Sequence, residues 1–425
     1  MRGGVLPGGQ RPGTAGRDRG RVQHAGLEGP DHPAGTGCVN RLRIGLAFGG
    51  LVLIGVGGSA AGVLLPYQMA DYHIDKIGVG LLFFAYSGGY VLSGVANGPL
   101  IHRLGTRAQL TLGALVYLVT ALGIGLHPGY VVLLGATVSI GFGAGILDAG
   151  LNAYVAGLPR HVTLLNLMHA FYGIGALLGP LLAAEIVHRH LPWQDTYLVL
   201  GAITVPLVLG FALALPDRAE PVPEEHAGTH LGLALRHRAV WLAALFLFLY
   251  VGVEFTLGNW GFTLLTQGQG DGELLAGYIV SGYWLGLTAG RFLISPSTSR
   301  AGIGPVAMVY GCLLAVILAV VLSWWGPSAL VGALGFALTG FFLGPVFPTT
   351  IAVTPRLLPG PLVPAAIGLL VGASVVGGAV FPFVAGALAQ DLGLAALLPY
   401  LLVLAVAQTG GWWAIARRMR APSPV

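Results

Sequence analysis

Residues 131–157 read VVLLGATVSIGFGAGILDAGLNAYVAG, and the one charged side chain among them is Asp148. A membrane-crossing helix needs about 20 consecutive, mostly apolar residues. A helix apolar all round has no face to offer water and must be buried in protein or lipid. The stretch is therefore read as a membrane span that carries an acid in its interior.

Eleven similar runs surround it. Five more belong to the first part of the chain, near 44–66, 78–100, 108–126, 162–186 and 196–215. Six follow, near 240–266, 274–295, 304–325, 329–353, 362–388 and 394–416. Composition agrees: 55% of the chain is hydrophobic and only 9% is charged, with a mean hydropathy of +0.80. A soluble domain carries about a quarter charged residues, so this chain would expose apolar surface that only lipid can cover. The reading is an all-α membrane protein of twelve transmembrane helices.

The longest polar stretch inside the apolar region separates two sets of six spans. It divides the chain into a tail over 1–40, a six-helix half over 41–216, a central loop over 217–238 and a second half over 239–425. Residues 1–40 are rich in Gly, Pro and Arg and have no apolar core of a signal peptide. They are expected to be disordered. The net charge of +5 is scattered over span ends rather than gathered into a nucleic-acid surface. Cytoplasmic loops are enriched in Lys and Arg. Of 21 such residues, only Lys76 and Arg189 fall on the outer face if both termini lie in the cytoplasm. Arg291 is among the inner-face charges on this reading. This places a multi-pass protein in the plasma membrane, expected to be monomeric.

The halves read as repeats. Span 4 and its loop end on Leu158-Pro159, and span 10 ends on Leu358-Pro359. Spans 5 and 11 share a small-residue pattern, GIGALLGPLLAA from Gly173 against VVGGAVFPFVAG from Val375. Parallel repeats of this kind place substrate sites near the midplane, between the halves. Pairs of small residues four apart, at Gly94/Gly98, Gly141/Gly145 and Gly286/Gly290, mark close helix packing.

Ionisable residues inside spans are costly and mark pathways. Asp148 has Asn152 one turn on, along the same face. If span 5 folds back beside span 4, Asp148 is level with His169 and Asn152 with Asn166. Asp148 and His169 are then candidates to carry a proton, since imidazole titrates near neutrality. Glu254 sits deep in span 7 with Tyr250 a turn before it and Asn259 and Trp260 after it. An acid, an amide and an indole suit a hydroxylated solute, with the indole face against C–H groups. Tyr283, Trp284 and Tyr86 are further pocket candidates. No phosphate-binding loop, metal-ligand cluster or nucleophile elbow is present, so neither an enzyme, a cofactor nor a metal is expected.

The loop GPLIHRLGTR, Gly98 to Arg107, resembles the signature of the major facilitator superfamily. Gly98, Arg103, Gly105 and Arg107 match it, while His102 stands where the family has Asp. Within that superfamily the chain looks most like the fucose-permease-like sugar–proton symporters. The similar segments are LDAGLNAYV from Leu147, NLMHAFYGIGALLGP from Asn166, YVGVEFTLGNW from Tyr250 and GPVFPTT from Gly344. The resemblance implies that Asp148 takes the place of the family's proton-linked carboxylate, followed by Asn152. It also implies an acid four residues before Pro66, where this chain has Gly62; Glu254 is then the second acid, moved to the other half, and a candidate proton carrier beside Asp148. The expected function is secondary active transport of a small polar solute, a sugar first, by proton-coupled alternating access. An efflux antiporter for amphipathic compounds and a non-transporting membrane sensor are the alternatives.

Overall fold

The computed structural model describes residues 34–216, 227–326 and 328–420. The helices are α1 (Ala34–Tyr72), α2 (Lys76–Gly125), α3 (Tyr130–Ala156), α4 (His161–His188), α5 (Asp195–Ala214) and α6 (Ala227–Arg236). They continue with α7 (Arg238–Thr263), α8 (Glu273–Arg300), α9 (Pro305–Trp325), α10 (Ala329–Leu343), α11 (Val346–Val353), α12 (Val363–Leu392) and α13 (Leu397–Arg420). The tail over 1–33 and the first part of the central loop, 217–226, lie outside the described residues. Two boundaries move. Residues 34–40, assigned to the tail by composition, open α1, and residues 227–236 of the central loop form α6.

Ten helices among the described residues are long and apolar enough to cross a membrane. One of them, α2, counts twice. It contains spans 2 and 3, and its helical geometry breaks at Gly105, where φ is 76° and ψ 166°. A side chain is strained at such a φ, so Gly105 makes the corner between the two spans. The twelfth crossing is α8, long enough at 28 residues but diluted by Glu273, Arg291, Arg300 and several serines. Span 10 is α10 plus α11, interrupted at Gly344-Pro345. The hydroxyl of Tyr250 donates to the Leu343 carbonyl at that break, at 3.1 Å.

Backbone-to-backbone approach holds the bundle together. In lipid there is no hydrophobic drive between helices, so close packing through small residues does the work. In the first half α1 packs on α4, where a Cβ on Gly55 would lie 2.3 Å from the Tyr172 carbonyl oxygen. The first part of α2 packs on α3 through Gly89 and Gly141. The second half repeats both contacts: α7 packs on α12 through Gly377, and α8 on α10 through Gly286, Gly290 and Gly340. Of the small-residue pairs read in sequence, Gly141/Gly145 and Gly286/Gly290 make such contacts. Gly94 meets nothing within 4 Å.

The tightest case gives a prediction. A Cβ at Gly290 would sit 1.8 Å from the Phe341 carbonyl oxygen, so α8 and α10 must part to admit it. Gly290→Val is expected to destabilise by roughly 1–3 kcal/mol, the usual cost of overpacking. Gly94→Val should cost far less. Detergent melting of the two purified variants checks the contrast, and equal losses would refute it.

Consecutive spans 4 and 5 do not form the close hairpin expected from sequence. Only a few residues of α3 touch α4, because α3 is packed on α2 and α4 on α1. The two halves meet along α1 with α7, α2 with α12 and α4 with α8. They are latched at one end. The hydroxyl of Tyr67 donates to Glu273 Oε1, and His188 Nδ1 lies 3.7 Å from the other oxygen of Glu273. Gln390 Nε2 donates to Asp75 Oδ2 at 2.8 Å, while its Oε1 accepts from the Lys76 N–H at 3.0 Å. The Gln390 amide and the Gly78 N–H hold the Asp75 carboxyl below the usual carboxylate range. What this latch contributes is therefore complete above the ordinary carboxylate pKa, and is lost as pH falls through the lowered one.

Candidate functional site

Asp148 lies on α3 facing α2. It accepts a hydrogen bond from the Tyr90 hydroxyl and another, at 3.0 Å, from Asn152 Nδ2. Asn152 also donates to the Asp148 backbone carbonyl at 2.9 Å. The one-turn spacing read in sequence therefore places both polar groups on one face. Tyr90 reaches Asp148 because Gly89 and Gly141 let α2 and α3 approach closely, and its ring stacks on Tyr86 at 6.4 Å between centroids. Asp148, Asn152, Tyr86 and Tyr90 are half-buried.

Glu254 lies on α7 and is only 7% exposed. Its carboxylate is 3.5 Å from Nη2 of Arg291 on α8. Arg291 is a candidate site residue that the sequence reading does not pick out. It was counted as an inner-face loop charge, but it sits inside α8, nine residues before that helix ends. The signal was available, since position 291 falls within the apolar run 274–295. A charge inside a run asks for a partner, and Glu254 is that partner.

α4 connects the two clusters. His169 is within electrostatic range of both Asp148 and Arg291. Tyr172, one turn further along α4, is in range of Glu254, Arg291 and Asp148. Groups from α2, α3, α4, α7 and α8 thus converge between the halves. Asn166 lies one turn toward the start of α4 from His169 and is exposed.

Several candidates have other work. Trp260 is buried and donates its indole N–H to the Pro382 carbonyl at 2.7 Å. Gly386 lies against its ring, so no aromatic face is left for a solute. Tyr283 is fully buried and donates to the Glu254 backbone carbonyl at 2.9 Å, which pins α8 to α7. Asn259 is buried, and its backbone lies against Gly62 of α1. Trp284 is buried between Gly258 and Phe255. These four pack within the second half and its seam with α1, and the Trp284 indole N–H is buried there without a hydrogen-bond partner. Tyr250 stays beside the pair, within electrostatic range of both Glu254 and Arg291.

The seam explains the missing acid of span 1. A Cβ at Gly62 would lie 2.6 Å from the Gly258 carbonyl oxygen and 2.7 Å from the Asn259 Cα. The backbone of α7 occupies the room that a carboxylate would need. In the signature loop, Gly105 makes the corner. Arg107 donates from Nε to the Ala212 carbonyl at 2.5 Å, tying the corner to the end of α5. Gln109 donates to the Asn97 side chain across the bend. His102 and Arg103 are exposed, and Gly98 lies one turn before His102 in the same helix.

Two six-helix halves with charged groups meeting between them define a polytopic membrane transporter. The chain belongs to the Major Facilitator Superfamily, whose profile matches residues 47–336. It is 27% identical over 386 residues to bypass of stop codon protein 6 of Saccharomyces cerevisiae, covering 81% of this chain and 76% of that one. It is 26% identical over 372 residues to a glucose/galactose transporter of Brucella abortus, covering 82% and 88%. Among solved structures it resembles a bacterial homologue of the human lysosomal transporter Spinster, with a TM-score of 0.76 at 13% identity over 91% of this chain and 99% of the other. The fucose:proton symporter of E. coli matches with a TM-score of 0.60 at 18% identity, over 89% and 98%. The solved structures carry the fold, and the profile carries the family.

Proposed function

We propose that this protein is a proton-coupled secondary transporter of a small polar solute, a sugar first, that works by alternating access. The observation that carries the reading is an acid in one half and an acid–guanidinium pair in the other, with His169 and Tyr172 of α4 within electrostatic range of both clusters. A proton taken by Asp148 changes the charge facing the second half, and His169 offers a titrating group between them. Glu254, read from sequence as a second proton carrier, has a different role in this proposal. An arginine is permanently charged, and neutralising its buried partner would strand that charge. Coupling therefore rests on Asp148, with Tyr90, Asn152 and His169 around it.

The similarity to glucose/galactose transporters supports sugar as the first class to test. The Lys and Arg distribution supports cytoplasmic termini in a plasma membrane. In that orientation the latch at Glu273 and Asp75 closes the outer side, and the protein functions as a monomer in lipid. Purified protein in proteoliposomes should take up glucose or galactose when an inward proton gradient is imposed. The interior should acidify in step with uptake. Uptake that ignores the gradient and moves no protons would refute proton coupling.

A further inference from the structure

We propose that the Glu254–Arg291 pair is a clamp for neighbouring hydroxyl groups of an uncharged solute, and that it selects neutral polyols and sugars over acidic ones. This rests on the sugar-transport reading above and names the chemistry by which this half of the site would recognise its solute.

The geometry of the pair is open. A bidentate arginine–carboxylate fork closes to about 2.8 Å, whereas these groups stand at 3.5 Å. Arg291 is 26% exposed, and its Nε is buried with no hydrogen-bond partner. A buried donor without a partner is costly, and guanidinium presents its donors in a fixed plane. The carboxylate beside it only accepts. A hydroxyl both donates and accepts, so two adjacent hydroxyls can give their protons to Glu254 while taking bonds from Arg291. A ligand of that type satisfies both partners at once.

Charge decides the class. The pair is neutral as a unit, and the nearest further acid is Asp148, which shares His169 and Tyr172 of α4 as electrostatic neighbours with the pair. An anionic solute would have to compete with Glu254 for Arg291 and sit near Asp148. Like charges in a low-dielectric site repel strongly. A neutral solute meets neither obstacle, and a proton on Asp148 can travel with it.

A purely structural ion pair would also explain a contact at 3.5 Å, so the test must separate the two. The double variant Glu254→Gln/Arg291→Met removes both charges together and leaves no stranded ion. Counterflow in proteoliposomes would use glucose, galactose and glucuronate as probes, beside melting curves of the same preparations. The expected result is a wild-type protein that exchanges a hexose and not glucuronate. The double variant should melt near wild type with a hexose KM raised about 10- to 100-fold, as for lost hydrogen bonds to charged groups. A double variant with unchanged KM overturns the clamp and makes the pair structural. A wild type that exchanges glucuronate in preference to hexoses overturns the neutral class while sugar transport stands. A wild type that exchanges none of the probes removes the sugar reading and the clamp with it.

Discussion

Asp148→Asn is expected to end concentrative uptake while leaving exchange intact. The substitution keeps the size of the side chain and an oxygen to accept from Tyr90 and Asn152, whose bonds hold Asp148 in place. It removes the carboxylate that a proton would titrate there. The lost quantity is large. One pH unit supplies about 1.4 kcal/mol and 100 mV supplies about 2.3 kcal/mol per charge. Together they can hold a neutral solute at a several-hundredfold gradient, since about 1.4 kcal/mol is one factor of ten. Without coupling, the solute equilibrates at equal concentrations on both sides. Counterflow should survive, because solute binding and the rocking of the halves need no net proton transfer. Measuring accumulation and counterflow on the same vesicles separates an uncoupled transporter from a broken one. If the variant still concentrates solute against a gradient, the proton passes elsewhere. Tyr90→Phe is the companion variant, since it removes a hydrogen-bond donor to Asp148 and leaves the acid.

The fold was legible because lipid imposes a simple pattern. Runs such as 131–157 need only length and apolarity to declare themselves, and the corner at Gly105 follows from a glycine in a charged loop. The pairing of helices was less visible. Spans 4 and 5 are neighbours in sequence, yet α3 lies on α2 and α4 on α1. Those partners are chosen by glycine–carbonyl approaches such as Gly141 to Tyr86 and Gly175 to Val52. Sequence marks the glycine but not the carbonyl that it meets. The same limit governs the site. Asp148 and Glu254 stood out as buried acids, and their surroundings did not. Tyr90 becomes the partner of Asp148 only once α2 and α3 are side by side. Trp260 read as a sugar platform because it follows Glu254 closely, but a helix turns about 100° per residue, and its ring faces α12. Arg291 was absorbed into a charge count that treats every arginine near a span end alike. Length along α8, rather than charge, was the informative quantity.

Locking the latched end should stop turnover altogether. A Cβ at Gly80 would lie 3.6 Å from the Cα of Phe383, which brings the two positions within reach of a disulfide whose Cβ atoms stand about 3.8 Å apart. Gly80 is on α2 in one half and Phe383 on α12 in the other, in the same region as the Asp75–Gln390 bonds. Replacing Cys38 and Cys312 first, then introducing Gly80→Cys and Phe383→Cys, gives a protein that can be joined or released at will. In the alternating-access reading, this seam must open once in every cycle for the site to face the other side. Oxidation should therefore reduce uptake to background, and a reducing agent should restore it. The single-cysteine proteins should be indifferent to oxidant, which controls for damage and for the loss of the Phe383 ring against Phe84. Binding separates the outcomes further. In the same alternating-access reading the joined protein keeps its site accessible from the unlatched side, so a sugar added in detergent should still raise its melting temperature, because ligands stabilise the state that they bind. Loss of transport with retained binding is the signature of a trapped intermediate in a rocking cycle. Full transport by the cross-linked protein would mean that these halves never part at this end, and alternating access by rocking would have to be given up.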